Sequence, residues 1–104
     1  MIFKTKLVGI KFSNPKENPV EGDIVHLVLE KDNKFDCNAI KVINNDNEKI
    51  GYIATNKTIY DGNRAKGYID NQELIASIDI ENDSYEAIIT KMRPEVGFID
   101  IITQ

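Results

Sequence analysis

Along much of the chain, apolar residues recur at every second position in short runs separated by polar turns, a period that predicts strands. Residues 4 to 12, KTKLVGIKF, place Val8, Ile10 and Phe12 on one face, with Lys4 and Lys6 continuing that face beyond the edge of the core. The next stretch, SNPKENPVEGD, holds two prolines, each preceded by Asn, and a glycine, so it reads as a loop or a pair of turns. IVHLVLEK is apolar on both faces at Val25, Leu27, Val28 and Leu29, as an inner strand of a curved sheet would be. His26 within it reads as a solvent-facing or hydrogen-bonded sheet residue, since no nucleophile spacing accompanies it. NAIKVIN puts Ile40 and Val42 on one face, and NNDNE joins it to KIGYIA as a hairpin, because Asn and Asp tolerate left-handed backbone and bond their own turn. Gly51 inside the second of these strands signals a bulge or a tight bend.

Periodicity fades over residues 55 to 72, TNKTIYDGNRAKGYIDNQ, which read as a loop carrying short helices, with Thr55 or Asn56 as a cap before KTIY. ELIASIDI fits two patterns: Leu74, Ala76, Ile78 and Ile80 alternate as a strand, while Leu74, Ile75 and Ile78 form a helical stripe. SYEAIITKM and GFIDIITQ, separated by RPEV with Pro94 in the turn, read as a closing antiparallel pair. Six or seven short strands with one irregular helical connection predict a mostly β (α+β) chain, a small, partly open antiparallel barrel with one or two short helices. Its expected core is Val8, Ile10, Val25, Leu27, Leu29, Ile40, Val42, Ile53, Ile88 and Phe98.

Composition narrows the function. A chain of 104 residues supports one domain, residues 1–104, with one core burying about 65% of the unfolded surface. Apolar residues at 41% and charged residues at 29% exclude general disorder. Lysines at positions 4, 6 and 11 interrupt the N-terminal segment and no run of 18 apolar residues occurs, so a cytoplasmic chain outside the membrane is expected. The single Cys37 has no cysteine partner and no nearby His, which argues against a disulfide and against zinc; it reads as a semi-buried filler beside a turn. Seventeen acids against thirteen bases give a net charge of -4. A binder that lives on counterion release shows a basic surplus instead, so any nucleic-acid contact must be local. The bases are spread along the chain, with one looser group at Lys57, Arg64 and Lys66.

Enzyme signatures are missing: there is no Gly-rich phosphate loop, no His-Glu-x-x-His and no Gly-x-Ser-x-Gly. Asp32, Asp36 and Asp46 could supply a metal-dependent nuclease, but each lies in a turn where bonding to the local backbone explains it. A non-enzymatic chain with neither cofactor nor metal is therefore expected.

The order of motifs adds to this. Asp32-Asn33 precedes Phe35-Asp36-x-Asn38-Ala39-Ile40-x-Val42, a turn follows, then Gly51-Tyr52-Ile53, with LVGIKF upstream. In this order the chain resembles the HIRAN domain family, closely over roughly residues 5 to 54 and less so beyond residue 55. The resemblance implies an OB-like or SH3-like barrel. In the best-understood members, eukaryotic fork-remodelling translocases, it implies binding of single-stranded DNA at a free 3′-hydroxyl end. By position, Lys11-Phe12-Ser13 stands where those members carry an Arg followed by two aromatics: Lys11 keeps the charge without the bidentate fork, Phe12 keeps a stacking face and Ser13 loses one. Phe35-Asp36 keeps ring and acid, without the ring hydroxyl.

The nucleic-acid-binding set carried over is Lys11, Phe12, Asn33, Phe35, Asp36 and Lys57. The bland alternatives stay open: Asp36 is placed to bond amides of its own turn, Phe35 could plug the barrel, and Phe12 alternates with Val8 and Ile10. So do two functions. One is a module for single-stranded DNA or DNA ends in a DNA-processing or repair system, working with a protein partner that supplies the enzymatic activity. The other is a protein-interaction or assembly module on the same barrel, favoured by the pI of 4.9 and by Ser13.

Overall fold

The computed structural model describes residues 1–59, 67–82 and 85–103. Its elements are β1 (Ile2–Val8), a 3-10 turn (Ile10–Phe12), β2 (Ile24–Leu29), β3 (Ile40–Ile43), β4 (Lys49–Ile53), α1 (Asn71–Ser77), β5 (Tyr85–Met92) and β6 (Gly97–Ile102). Among the described residues the strands pair antiparallel in the order β1-β4-β3-β2-β5-β6, and β6 returns to β1, so the barrel is closed rather than partly open. Closure removes every long unpaired edge. No helix of the described residues is long and apolar enough to cross a membrane.

Inside, Leu7, Val25, Leu27, Ile40, Val42, Ile53, Ile89, Ile99 and Ile101 are buried and packed together. The expected phase holds for β2, β3 and β4. In β1 it is reversed. Phe3, Thr5 and Leu7 sit opposite Ile101, Ile99 and Gly97 of β6 and share their inward face, while Lys4 and Lys6 sit opposite Asp100 and Phe98 on the outer one. LVGI is apolar at both parities, so its own pattern cannot choose a face; pairing with β6 chooses it. The same one-residue correction applies later in the chain. Ala87 and Ile89 are buried where Ile88 was expected, and Ile99 and Ile101 where Phe98 was expected. Val8, Ile10 and Leu29 are half-buried.

Lys6 shows what the closed fold adds. It faces outward yet is only 4% exposed, its Nζ donating to the Ile59 carbonyl at 3.0 Å. Ala54 N–H donates to the Lys6 carbonyl and Ile69 N–H to the Lys4 carbonyl, so β1 is bonded by residues on both sides of the segment 60–66. Thr5 Oγ1 donates to the Ile69 carbonyl at 2.8 Å, and Tyr68 meets the Phe98 ring edge-on at 5.8 Å.

Gly9 ends β1 with a φ of 70°. Left-handed backbone suits glycine and breaks the strand, so Ile10–Phe12 coil into a 3-10 turn closed by Phe12 N–H to the Gly9 carbonyl at 3.1 Å. The expected strand over 4–12 therefore stops at Val8. Gly51 answers a different need. A Cβ there would lie 2.5 Å from the Val8 carbonyl oxygen and 2.7 Å from Leu7 Cδ1, so the end of β1 passes Gly51 where only hydrogen fits. Gly51 also borders the bulge expected there: the β3–β4 register passes from Val42 opposite Gly51 to Ile43 opposite Lys49, leaving Ile50 as the extra residue, and a second shift lies at Ile89/Lys91.

The β3–β4 hairpin forms as its composition predicts: Asn44 Oδ1 accepts from Asp46 N–H and Glu48 N–H, both at 2.9 Å, and Asn47 takes the left-handed position. His26 is half-exposed beside it, 3.0 Å from Asn45 Oδ1. ELIASIDI resolves as helix over its first part. Asp70 Oδ1 caps α1 by accepting from Glu73 N–H at 2.9 Å, and Leu74 and Ile80 enter the core.

Candidate nucleic-acid interface

The loop from Glu30 to Ala39 carries Phe35 and Asp36, and its shape follows from its polar side chains. Asn33 Oδ1 accepts from Phe35 N–H at 2.9 Å and from Asp36 N–H at 3.1 Å. Asp36 Oδ1 accepts from Asn38 N–H at 2.9 Å. Two successive Asx turns thus shape the loop from within. With its backbone held this way, the Phe35 ring points away from the protein and is 99% exposed, so it is no barrel plug. Cys37, next in sequence, is exposed rather than semi-buried.

Behind the loop lies a polar brace. Glu30 Oε1 accepts from Asn33 Nδ2 at 3.1 Å and from the Tyr52 hydroxyl at 2.8 Å, and Lys41 Nζ lies 3.8 Å from Glu30 Oε2. Burial alone would push the Glu30 carboxyl up. The hydrogen bonds from Tyr52 and Asn33 and the charges of Lys41 and Lys49 outweigh it and hold Glu30 below the ordinary carboxylate value. Burial, and then the bond to and the charge of Glu30, push the Tyr52 hydroxyl up.

Asn33, Phe35, Asp36, Tyr52, Thr55 and Asn71 surround a depression of about 280 Å³. A second depression, of about 420 Å³, lies against the 3-10 turn, lined by Lys11, Phe12, Thr58, Glu95 and Val96. One turn separates them. Thr55 faces the first and Thr58 the second, and the Thr55 N–H donates to Thr58 Oγ1 at 2.8 Å. Lys57 stands exposed on that turn, its N–H donating to Thr55 Oγ1 at 3.3 Å. Phe12, expected to alternate with the core, is 81% exposed, with Lys11 Nζ 5.3 Å from its ring centroid.

The six residues selected from sequence thus fall into two groups, Asn33-Phe35-Asp36 and Lys11-Phe12, on either side of the turn bearing Lys57. Arg64 and Lys66 lie outside the described residues, so the basic group is seen only at Lys57. Lys34 is exposed in the Phe35 loop, while Glu95 borders the Phe12 depression.

Asn71 escaped the sequence reading. It is 1% exposed, and its Nδ2 donates to the Asn38 carbonyl at 2.8 Å and to Asp36 Oδ2 at 3.3 Å. The only local sign was an Asn following the Asp that caps the helix, a common pairing with no site meaning of its own. Tyr52 was noted within Gly-Tyr-Ile, but its bond to Glu30, 22 positions away, has no local signature.

A solved structure similar to this one is the crystal structure of the HIRAN domain of human HLTF, with a TM-score of 0.69 and 17% sequence identity, covering 96% of this chain and 72% of that one. At that identity the likeness shows the fold. No curated protein matches the chain significantly in sequence. The HIRAN domain family, however, matches it over residues 2–95, a span running from β1 into the β5–β6 turn and including both aromatic rings and the Asp36 loop. The chain belongs to the HIRAN domain family.

Proposed function

We propose that this domain binds nucleic acid, taking the end of a single DNA strand in the two depressions beside Phe35-Asp36 and Phe12. HIRAN domains are known generally as DNA-binding modules, and family membership supports the broad reading. The observation that carries the finer one is the exposure of Phe12 at 81% and Phe35 at 99% on either side of the Thr55–Thr58 turn. Folding does not require those rings there, since neither enters the core. A base stacked on each would contribute about 1–3 kcal/mol.

Asp36 supplies the end selectivity. Each of its oxygens receives one hydrogen bond from the protein, and a carboxylate has about four acceptor positions, so capacity remains for a terminal 3′-hydroxyl. A 3′-phosphate would meet it as a like charge. Lys11, Lys34 and Lys57 offer a few phosphate contacts, so affinity is modest and falls with salt on a shallow slope. The domain itself performs no chemistry in this reading; a protein partner in a cytoplasmic DNA-processing or repair system supplies it.

The test is a titration of labelled single strands ending in 3′-hydroxyl or 3′-phosphate, followed by fluorescence anisotropy at low and at raised salt. Preference for the hydroxyl end supports the proposal. No binding of either strand by folded protein at low salt removes it and leaves the second reading, a protein-interaction module. That reading draws on the net charge of -4 and on the outward isoleucines Ile2, Ile24 and Ile102, which are 55%, 42% and 65% exposed.

A further inference from the structure

We infer that Asn71, at the start of α1, is a positioning residue for end recognition, holding the Asp36 carboxylate in the orientation that receives the terminal hydroxyl. This rests on the reading above and adds a residue from a different part of the chain.

The geometry makes Asn71 a clamp. Its Nδ2 carries two hydrogens, and it donates to both the Asn38 carbonyl at 2.8 Å and Asp36 Oδ2 at 3.3 Å. One side chain therefore grips the turn at its carboxylate and at its backbone. Asn71 does not depend on that turn for its own place. Its N–H donates to the Ala54 carbonyl at 2.9 Å, just beyond β4, and the preceding Asp70 caps α1. At 1% exposure it has no freedom to follow a moving loop, so the loop must follow it.

Asp36 needs this second hold. Its bond to Asn38 N–H ties Oδ1 to a residue two positions away, within the same loop. Among the described residues, the bond from Asn71 is what references the carboxylate to the barrel. Without it the charge of Asp36 stays, and so do the rings and lysines that bind the strand. What is lost is the aim of Oδ1 and Oδ2, and with it the distinction between a hydroxyl and a phosphate end.

The experiment compares strands ending in 3′-hydroxyl and 3′-phosphate on wild type, Asn71→Ala and Asn71→Ser, each well below its melting temperature. The hydroxyl-to-phosphate affinity ratio should fall by about five-fold in Asn71→Ala, the scale of one lost hydrogen bond, with the phosphate-ended strand bound within about two-fold of wild type. Asn71→Ser, whose hydroxyl oxygen sits where the amide carbon was and falls short of both acceptors, should lower the ratio as far as Asn71→Ala. A purely structural Asn71 would lower the melting temperature and leave the ratio unchanged, which would overturn the inference. A further measurement needs no variant. In wild type, the Asn71 side-chain amide NMR signals should shift on adding the hydroxyl-ended strand and stay in place with the phosphate-ended one; equal shifts with both would also overturn it. A wild type that binds both ends equally defeats the underlying reading instead, and the two failures are thereby told apart.

Discussion

The Tyr52 hydroxyl donates to Glu30 Oε1 at 2.8 Å, and through that oxygen β4 braces the loop that carries Phe35. Asn33 Nδ2 reaches the same oxygen, and Asn33 Oδ1 collects the N–H groups of Phe35 and Asp36. Tyr52→Phe removes the first member of this relay while keeping its ring. The expected loss, measured by urea unfolding, is about 1–2 kcal/mol, because a half-buried bond to a charged acceptor disappears. A loss below about 0.3 kcal/mol would mean that the brace is held by Asn33 and Lys41 without it.

The same pair predicts a pH dependence. Glu30 lies below its usual value of 4.5 in the folded state, so its ionised form favours folding: the contribution is complete above pH 4.5 and is lost as pH falls through the folded value. Tyr52 is raised above its usual 10.0, so its contribution is complete below pH 10 and is lost as pH rises through the folded value. Stability of wild type and Glu30→Gln, followed from pH 7 to pH 3, should converge in the acid range. A gap that stays constant to pH 3 would contradict the assignment.

Gly51→Ala should destabilise the barrel by about 1–3 kcal/mol, since the added Cβ would press on the Val8 carbonyl and on Leu7 at the end of β1. Backbone cannot swing aside as the end of a long side chain can. Thermal unfolding reads the effect, and a variant as stable as wild type would show that the two strands separate without cost.

Phe12→Ala and Phe35→Ala should each leave stability within about 0.5 kcal/mol of wild type, because neither ring packs in the core. Each should weaken strand binding by about 1–3 kcal/mol. Loss of stability without loss of binding, in either variant, would reverse the roles assigned to these rings.

Cys37 is exposed between Asp36 and Asn38. A bulky maleimide attached there should leave the far-ultraviolet circular dichroism unchanged and block strand binding, whereas Cys37→Ser should bind as wild type. Unhindered binding by the labelled protein would place the strand away from this loop.

What the sequence determined by itself is the set of features whose partners lie within a few positions of one another. The NNDNE hairpin and the turn at Asp36 are closed by bonds spanning at most four residues and are read from composition alone, whereas the break at Gly9 and the cap at Asp70, equally local, are hidden by the apolar alternation of LVGIKF and the two-way pattern of ELIASIDI. Alternation was also enough for β2, β3 and β4, where polar residues or a turn mark the phase. Only the tertiary structure decided which face of β1, β5 and β6 points inward, because LVGI, AII and FIDII leave more than one phase available and cross-strand register chooses between them. It decided as well that Lys6 is buried with its ammonium on the Ile59 carbonyl, that Phe12 leaves the sheet, and that Asn71 meets Asp36 across 35 positions. The physical reason is range. Hydrogen bonds within a turn form wherever the residues stand, whereas contacts between distant segments exist only once the barrel has closed and fixed where each segment lies.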